Sequence, residues 1–283
     1  VIWDTAAHFF LADLVVEGRV STLITEDIMP ATNIGRFVWH ELHTGDRPKA
    51  AKFYKQLLGW ETKDVPMGPG EPYTLCQQDG KDFAGITKSM APANVPPHWL
   101  PYIGVDNVDA SAAKIKELGG KTLMAPMDIP NVGRFAPVTD PQGAAFAIYK
   151  SNSPYPAEPE RPPVGAFCWE ELHTSDPAAA AKFYAAAFGY SIEEADMGPM
   201  GTYRILKRGD RQSAGIMKSM PGGPPQPHWL EYLAVKSVDD STRNAKELGA
   251  QVLMQPADIP KIGRFSIIGD PTGAGIALFT GAM

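Results

Sequence analysis

Two short runs in this sequence carry a carboxylate and an imidazole two residues apart. They are Trp39-His40-Glu41-Leu42-His43-Thr44 and Trp169-Glu170-Glu171-Leu172-His173-Thr174. On a β-strand alternate side chains share a face, so Trp39, Glu41 and His43 stand together, as do Trp169, Glu171 and His173. A carboxylate beside an imidazole in a half-dry setting shifts both proton affinities and suits proton transfer. Three readings of these pairs stay open. They can be mutually satisfied structural pairs, or they can recognise a ligand or act as general bases. If His98 folds inward beside Glu41 and His43, they can also form a non-standard two-His-one-carboxylate metal site.

The two runs belong to a larger repetition. Moving the chain along itself by 130 positions superposes it without a gap. Ala51-Lys52-Phe53-Tyr54 meets Ala181-Lys182-Phe183-Tyr184, and Pro97-His98-Trp99-Leu100 meets Pro227-His228-Trp229-Leu230. Asp140-Pro141 with Gly143-Ala144 meets Asp270-Pro271 with Gly273-Ala274. A period this long is duplication of a whole domain, not a solenoid. Four histidines fall at matched positions, His43 with His173 and His98 with His228. His40 alternates away from the Glu41 face. Arg134 and Arg264, each after a glycine, either bind a substrate anion or make structural ion pairs. Cys76 and Cys168 occupy unmatched positions and read as small buried hydrophobes, consistent with a reducing, cytoplasmic setting.

The elements that position these residues follow from periodicity. Residues 37–44 alternate as a strand. Asp46 caps a helix over 47–58, with Ala50, Phe53, Tyr54 and Leu57 on one face and Gly59 at its end. Strands are expected at 61–65, 73–77 and 83–88. The pattern then restarts with a strand at 99–105, a helix at 108–118, and strands at 122–127, 135–139 and 144–149. Asp140-Pro141-Gln142-Gly143 marks a hairpin. Each half is thus βαβββ twice. The expected class is α+β: two tandem domains, each an eight-stranded sheet curved around a cavity with helices outside. A pseudo-twofold between the two units of a domain places Tyr102 and Tyr232 on the face of Glu41 and Glu171.

The domains are expected at 35–150 and 165–283, joined by a Pro-rich, exposed linker at 151–164. Residues 1–34 read as an N-terminal extension, upstream or added at 1–28; a native amphipathic helix is the alternative. The net charge of −6 without a basic run argues against nucleic acid or an anionic membrane as partner.

A strand, then Asp, then a helix carrying Phe-Tyr seven residues on and ending in Leu-Gly, resembles the opening of glyoxalase I, bleomycin-resistance proteins and extradiol dioxygenases. The Asp-Pro-x-Gly hairpin before the last strand fits the same family, and the resemblance covers about 35–150 and 165–280. It is similar to tandem two-domain glyoxalase-like proteins of actinobacteria. The resemblance implies a metal site whose ligand positions fall at Trp39 and Trp169, in Ala84-Gly85-Ile86 and Ala214-Gly215-Ile216, near Leu100 and Leu230, and at Ala147 and Ala277. None of these side chains binds a divalent ion, so no metal is expected at the usual site. The expected ligand is a small organic molecule, with Glu41, His43, Glu171 and His173 as candidate catalytic residues. Trp39, His98, Tyr102, Trp169, His228 and Tyr232 are the candidate ligand contacts. A metal-dependent lyase or dioxygenase with a non-standard site, and a metal-free hydrolase or isomerase, remain alternatives. Whether the protein is an enzyme, and whether it forms a homo-oligomer, stays open at this point.

Overall fold

The structure is a computed structural model that describes residues 33–282, apart from 68–69, 90–94, 199–200 and 221. The extension expected at 1–28 lies outside the described residues. The first half contains β1 (Phe37–Thr44), α1 (Arg47–Leu58), β2 (Glu61–Val65), β3 (Tyr73–Gln78), β4 (Lys81–Lys88) and β5 (His98–Gly104), followed by α2 (Val108–Glu117), β6 (Lys121–Thr122), β7 (Met127–Ile129), β8 (Gly133–Thr139) and β9 (Ala145–Ser151). The second half repeats this as β10 (Phe167–Thr174), α3 (Pro177–Phe188), β11 (Ser191–Asp196), β12 (Thr202–Arg208), β13 (Arg211–Lys218) and β14 (His228–Ala234), then α4 (Val238–Glu247), β15 (Gln251–Ile259), β16 (Gly263–Gly269) and β17 (Gly275–Gly281).

Each half forms one curved sheet. The strand orders are β2-β3-β4-β1-β5-β9-β8-β6, with β7 also on β8, and β11-β12-β13-β10-β14-β17-β16-β15. The two βαβββ units of a half meet where β1 pairs antiparallel with β5, and β10 with β14. Local chemistry sets the helix ends. The Asp46 carboxylate accepts from the Lys49 amide at 3.1 Å, and Gly59 takes φ 75°, which stops α1.

One strand departs from expectation. The stretch expected at 122–127 is broken into β6 and β7, whereas its repeat runs unbroken, with bulges, as β15. The partner strand supplies the reason. Met254 pairs with Ile267, but the corresponding partner of Met124 is Pro137, which has no N–H to give.

The helices lie on the side of each sheet away from Glu41 and Glu171, and their apolar faces also meet the other half. Leu42, Ala50, Phe53, Tyr54 and Trp60 of the first half share one buried cluster with Leu233, Val238, Ala245 and Ile276 of the second. The reciprocal cluster joins Ile103, Val108, Ile115 and Phe146 to Ala180, Phe183, Tyr184 and Leu206. Helix α1 packs on α4, α2 on α3, and β5 against β14 at the centre. The helices thus lie outside each curved sheet, as expected, and the two halves pack against one another on that side. Each helix keeps an exposed face, such as Lys49, Lys52 and Gln56 of α1, while its apolar residues pack between their own sheet and the other half.

Polar groups fix this interface. The Trp99 indole N–H donates to the Tyr54 hydroxyl at 3.0 Å, which donates to Asp270 across the interface at 3.1 Å. Trp229, Tyr184 and Asp140 repeat the chain at 3.2 and 3.3 Å. Each Asp uses its other oxygen to hold the amides of its own hairpin. One hairpin carboxylate thus orders a turn and ties the domains together, and a lost partner would leave a buried group unmatched at about 1–3 kcal/mol. The linker is exposed but tethered, since Glu158 pairs with Arg36, Arg208 and Arg211.

Candidate functional site

The central strand of each sheet presents two faces. His40, Leu42 and Thr44 are buried towards the helices, while Trp39, Glu41 and His43 face the other way. On that concave face the register forms rows across the sheet. Trp39 stands beside Tyr102, which stands beside Ala147. Glu41 lies between Gly85 and Leu100, and His43 between Thr87 and His98. In the second half the rows are Trp169–Tyr232–Ala277, Gly215–Glu171–Leu230 and Met217–His173–His228.

The carboxylate is the hub of each cluster. Glu41 accepts from the Tyr73 hydroxyl at 2.7 Å and from Tyr102 at 3.1 Å, and His43 Nε2 lies 2.9 Å away. Glu171 accepts from Tyr203 at 2.7 Å and Tyr232 at 3.0 Å, and is hydrogen-bonded to His173 Nε2 at 2.9 Å. The His43 contact has the same length but lies off the hydrogen-bond direction. Trp39 and Trp169 complete the clusters, each donating to the tyrosine hydroxyl, Tyr73 or Tyr203, at 3.0 Å.

Proton affinities follow from burial and these partners. Burial, and then the neighbouring carboxylate, push Tyr73, Tyr102, Tyr203 and Tyr232 well above the usual phenol range, so their hydroxyls stay donors. Burial alone would raise Glu171, but the hydrogen bond and charge of His173, with the two tyrosine hydroxyls, outweigh it and lower the carboxylate. His98 and His228 are lowered, chiefly by burial and also by the neighbouring His43 or His173. Each donates from Nδ1 to a backbone carbonyl, Pro96 or Gln226, at 2.9 Å, which leaves Nε2 as the acceptor. Their rings stack parallel to His43 and His173 with centroids 5.2 Å apart.

All ten residues singled out in the sequence therefore come together, five on each sheet. Sequence reasoning missed Tyr73 and Tyr203. The available signal was their match across the duplication, together with the matched glycines Gly85 and Gly215. A Cβ on either glycine would come within 1.8 Å of the tyrosine hydroxyl, so glycine lets Tyr73 and Tyr203 reach the glutamate. Arg134 and Arg264 lie elsewhere. Each grips the Asp in the first turn of the preceding helix, Asp109 of α2 or Asp239 of α4, through two hydrogen bonds, and binds Asp128 or Asp258 through a third. Two pockets also lie apart from the clusters. One, of about 470 Å³, is lined by Lys236, Asp258, Lys261 and Arg264; the other, of about 250 Å³, sits beside Arg47 and Asp64.

The fold and the repeated clusters place this chain among known proteins once its sequence is matched. A family model described as Glyoxalase/Bleomycin resistance protein/Dioxygenase superfamily matches residues 34–148 and again 169–278. The chain belongs to this superfamily. Among its relatives, the protein called putative glyoxylase CFP32 of Mycobacterium tuberculosis (strain CDC 1551 / Oshkosh) is 38% identical over 240 residues, covering 83% of this chain and 91% of that protein. The anthracycline biosynthesis protein DnrV of Streptomyces peucetius is 35% identical over 259 residues, covering 86% and 92%. Among solved structures, the 2,3-dioxygenase LapB from Pseudomonas sp. KL28 aligns with a TM-score of 0.62 at 13% identity, over 90% of this chain and 94% of that one. A Mn(II)-bound glyoxalase from Novosphingobium aromaticivorans aligns at 0.60 and 18%, over 87% and 82%. At such identity these structures show a shared fold alone.

Superfamily membership raises the question of a divalent ion. The positions that the resemblance assigns to ligands fall at Trp39, in Ala84-Gly85-Ile86, near Leu100 and at Ala147, and in the second half at Trp169, in Ala214-Gly215-Ile216, near Leu230 and at Ala277. Their side chains offer no oxygen or imidazole nitrogen, so this donor set does not fit the ion. Nor do any three His, Cys, Asp or Glu among the described residues form a group that could hold one.

Proposed function

We propose that this protein binds a small, flat organic molecule on the concave face of its sheets, with the glutamate–histidine pairs contacting it. The observation that carries this reading is the hub itself. A buried carboxylate is held by two tyrosine hydroxyls and faced by an imidazole, beneath a tryptophan. Aromatic walls with a few fixed polar groups are the usual composition of a small-molecule site. The relatives support the class of ligand, since one is named for anthracycline biosynthesis and another as a putative glyoxylase. Trp39, Tyr102 and His98 are the proposed contacts of the first domain, and Trp169, Tyr232 and His228 hold the equivalent positions in the second.

A second reading is metal-free proton transfer, favoured by the carboxylate–imidazole pairing. In that case the base is the imidazole rather than the glutamate. Glu171 is lowered and already accepts three hydrogen bonds, whereas a His173 that donates from Nε2 keeps a lone pair on Nδ1. A metal-dependent lyase or dioxygenase would require a non-standard site.

The test is a fluorescence titration of the whole chain with a hydroxylated anthraquinone, alongside elemental analysis. Saturable binding that weakens in the double variant His43→Ala/His173→Ala, with less than a tenth of an equivalent of metal, is the expected result (~0.1 per domain against the full equivalent a resident ion would give). Unchanged affinity in the double variant, or one tightly held ion per domain, would overturn it.

A further inference from the structure

We infer that only the first domain's concave face takes the ligand, because the second domain fills the same place with its own methionines. This rests on the proposed reading of the concave faces as ligand sites. Met217 stands next to His173 in the row across the sheet, where the first domain has Thr87 beside His43. Met217 and Met197 are 8% and 3% exposed and pack with Tyr203 and Ile205, with Trp169 and Met220 against them. The repeat of Met197 is Met67, which is 56% exposed. Tyr73 and Leu75 are accordingly half-buried, where Tyr203 and Ile205 are buried.

A polarisable thioether against aromatic rings is a favourable contact. In the second domain the chain makes that contact with itself. In the first, the Tyr73 ring remains partly open, and a flat apolar group can take the place of the sulfur. The polar groups narrow the class further. Glu41 brings a carboxylate, and His98 is an imidazole whose Nε2 accepts. Acceptors of this kind favour a neutral aromatic bearing hydroxyl or N–H donors and disfavour an anion.

The experiment is isothermal titration of the whole chain with 1,4-dihydroxyanthraquinone, and with anthraquinone-2-sulfonate as the anionic counterpart. Wild type should take one equivalent of the neutral probe, and bind the sulfonate about tenfold or more weakly (~1.4 kcal/mol). Filling the first site by Thr87→Met, with Thr87→Leu as a second variant, should weaken binding about tenfold while the melting curve keeps its shape. Opening the second site by Met197→Ala/Met217→Thr should add a second equivalent. Two equivalents in wild type, equal binding of the sulfonate, or binding that survives Thr87→Met and is lost in the Met197/Met217 variant would overturn the inference. Binding only by the opened variant would overturn it too, while leaving the concave faces as ligand sites. No binding by any form would overturn both readings.

Discussion

The two halves carry the same five chemical residues on the same two strands, yet their clusters are finished differently. The glutamate side chains are equally sheltered, 12% exposed for Glu41 and 11% for Glu171. The histidines are not, at 21% for His43 against 11% for His173, and only His173 is aligned to hydrogen-bond its glutamate. The cause lies outside the shared residues. Met197 and Met217 close over the second cluster, and Met67 and Thr87 do not close over the first. Duplication preserved the five residues, while their neighbours set how far solvent reaches them. The same contrast appears at the interface. His40 and Glu170 are equivalent positions that meet across the two halves at 2.9 Å, and beside Glu170 stands Glu231 where the first half has Pro101.

The sharpest way to break this comparison is to remove each hub. Glu171→Ala strands two buried tyrosine hydroxyls and an aligned imidazole, and should cost about 3–5 kcal/mol. Glu41→Ala leaves buried Tyr102 and half-buried Tyr73 without their acceptor, but an imidazole that was not hydrogen-bonded, and should cost about 1–3 kcal/mol. Urea unfolding of the two variants measures both. Equal losses would mean that the methionine cover makes no energetic difference.

The interface offers the next test. Burial, with Glu170 nearby, pushes the Glu231 carboxyl up to about 8 from its ordinary 4.5, and one of its oxygens is buried without a partner. The facing groups are Glu170 and the His40 bound to it. Because the folded value is raised, the folded chain holds a proton that the unfolded chain gives up between these values. Stability is therefore highest below about pH 4.5 as far as this group is concerned, and falls as pH rises towards 8. Wild type should melt several degrees lower at about pH 9 than at about pH 6, and Glu231→Gln should flatten that dependence. An identical pH slope in the variant would remove Glu231 as its source.

The smallest expected effect separates the histidines. His173→Ala gives up one aligned hydrogen bond and should cost about 0.5–1.5 kcal/mol. His43→Ala should leave the melting temperature within about 1 °C and act on ligand affinity instead. A large stability loss from His43→Ala would make the first cluster structural as well.

Much of this molecule was legible before its structure. Repetition at a fixed offset gave two domains. Alternation put Trp39, Glu41 and His43 on one face because a strand has a period of two, and Asp46 and Gly59 bounded α1 because a helix end leaves amides and carbonyls to be satisfied. The break between β6 and β7 was legible in principle, since Pro137 cannot donate to a neighbouring strand, but only once the pairing of the two strands was known. Tyr73 is a similar case, because its role depends on Gly85, which is next to it only through the β3–β4 pairing. What the tertiary structure alone decided is accessibility and partnership across the chain. The packing of each half's helices against the other half, the meeting of His40 with Glu170, and the closure of one concave face by methionines join residues far apart in sequence. Periodicity fixes the direction in which a side chain points, but packing fixes what it meets there.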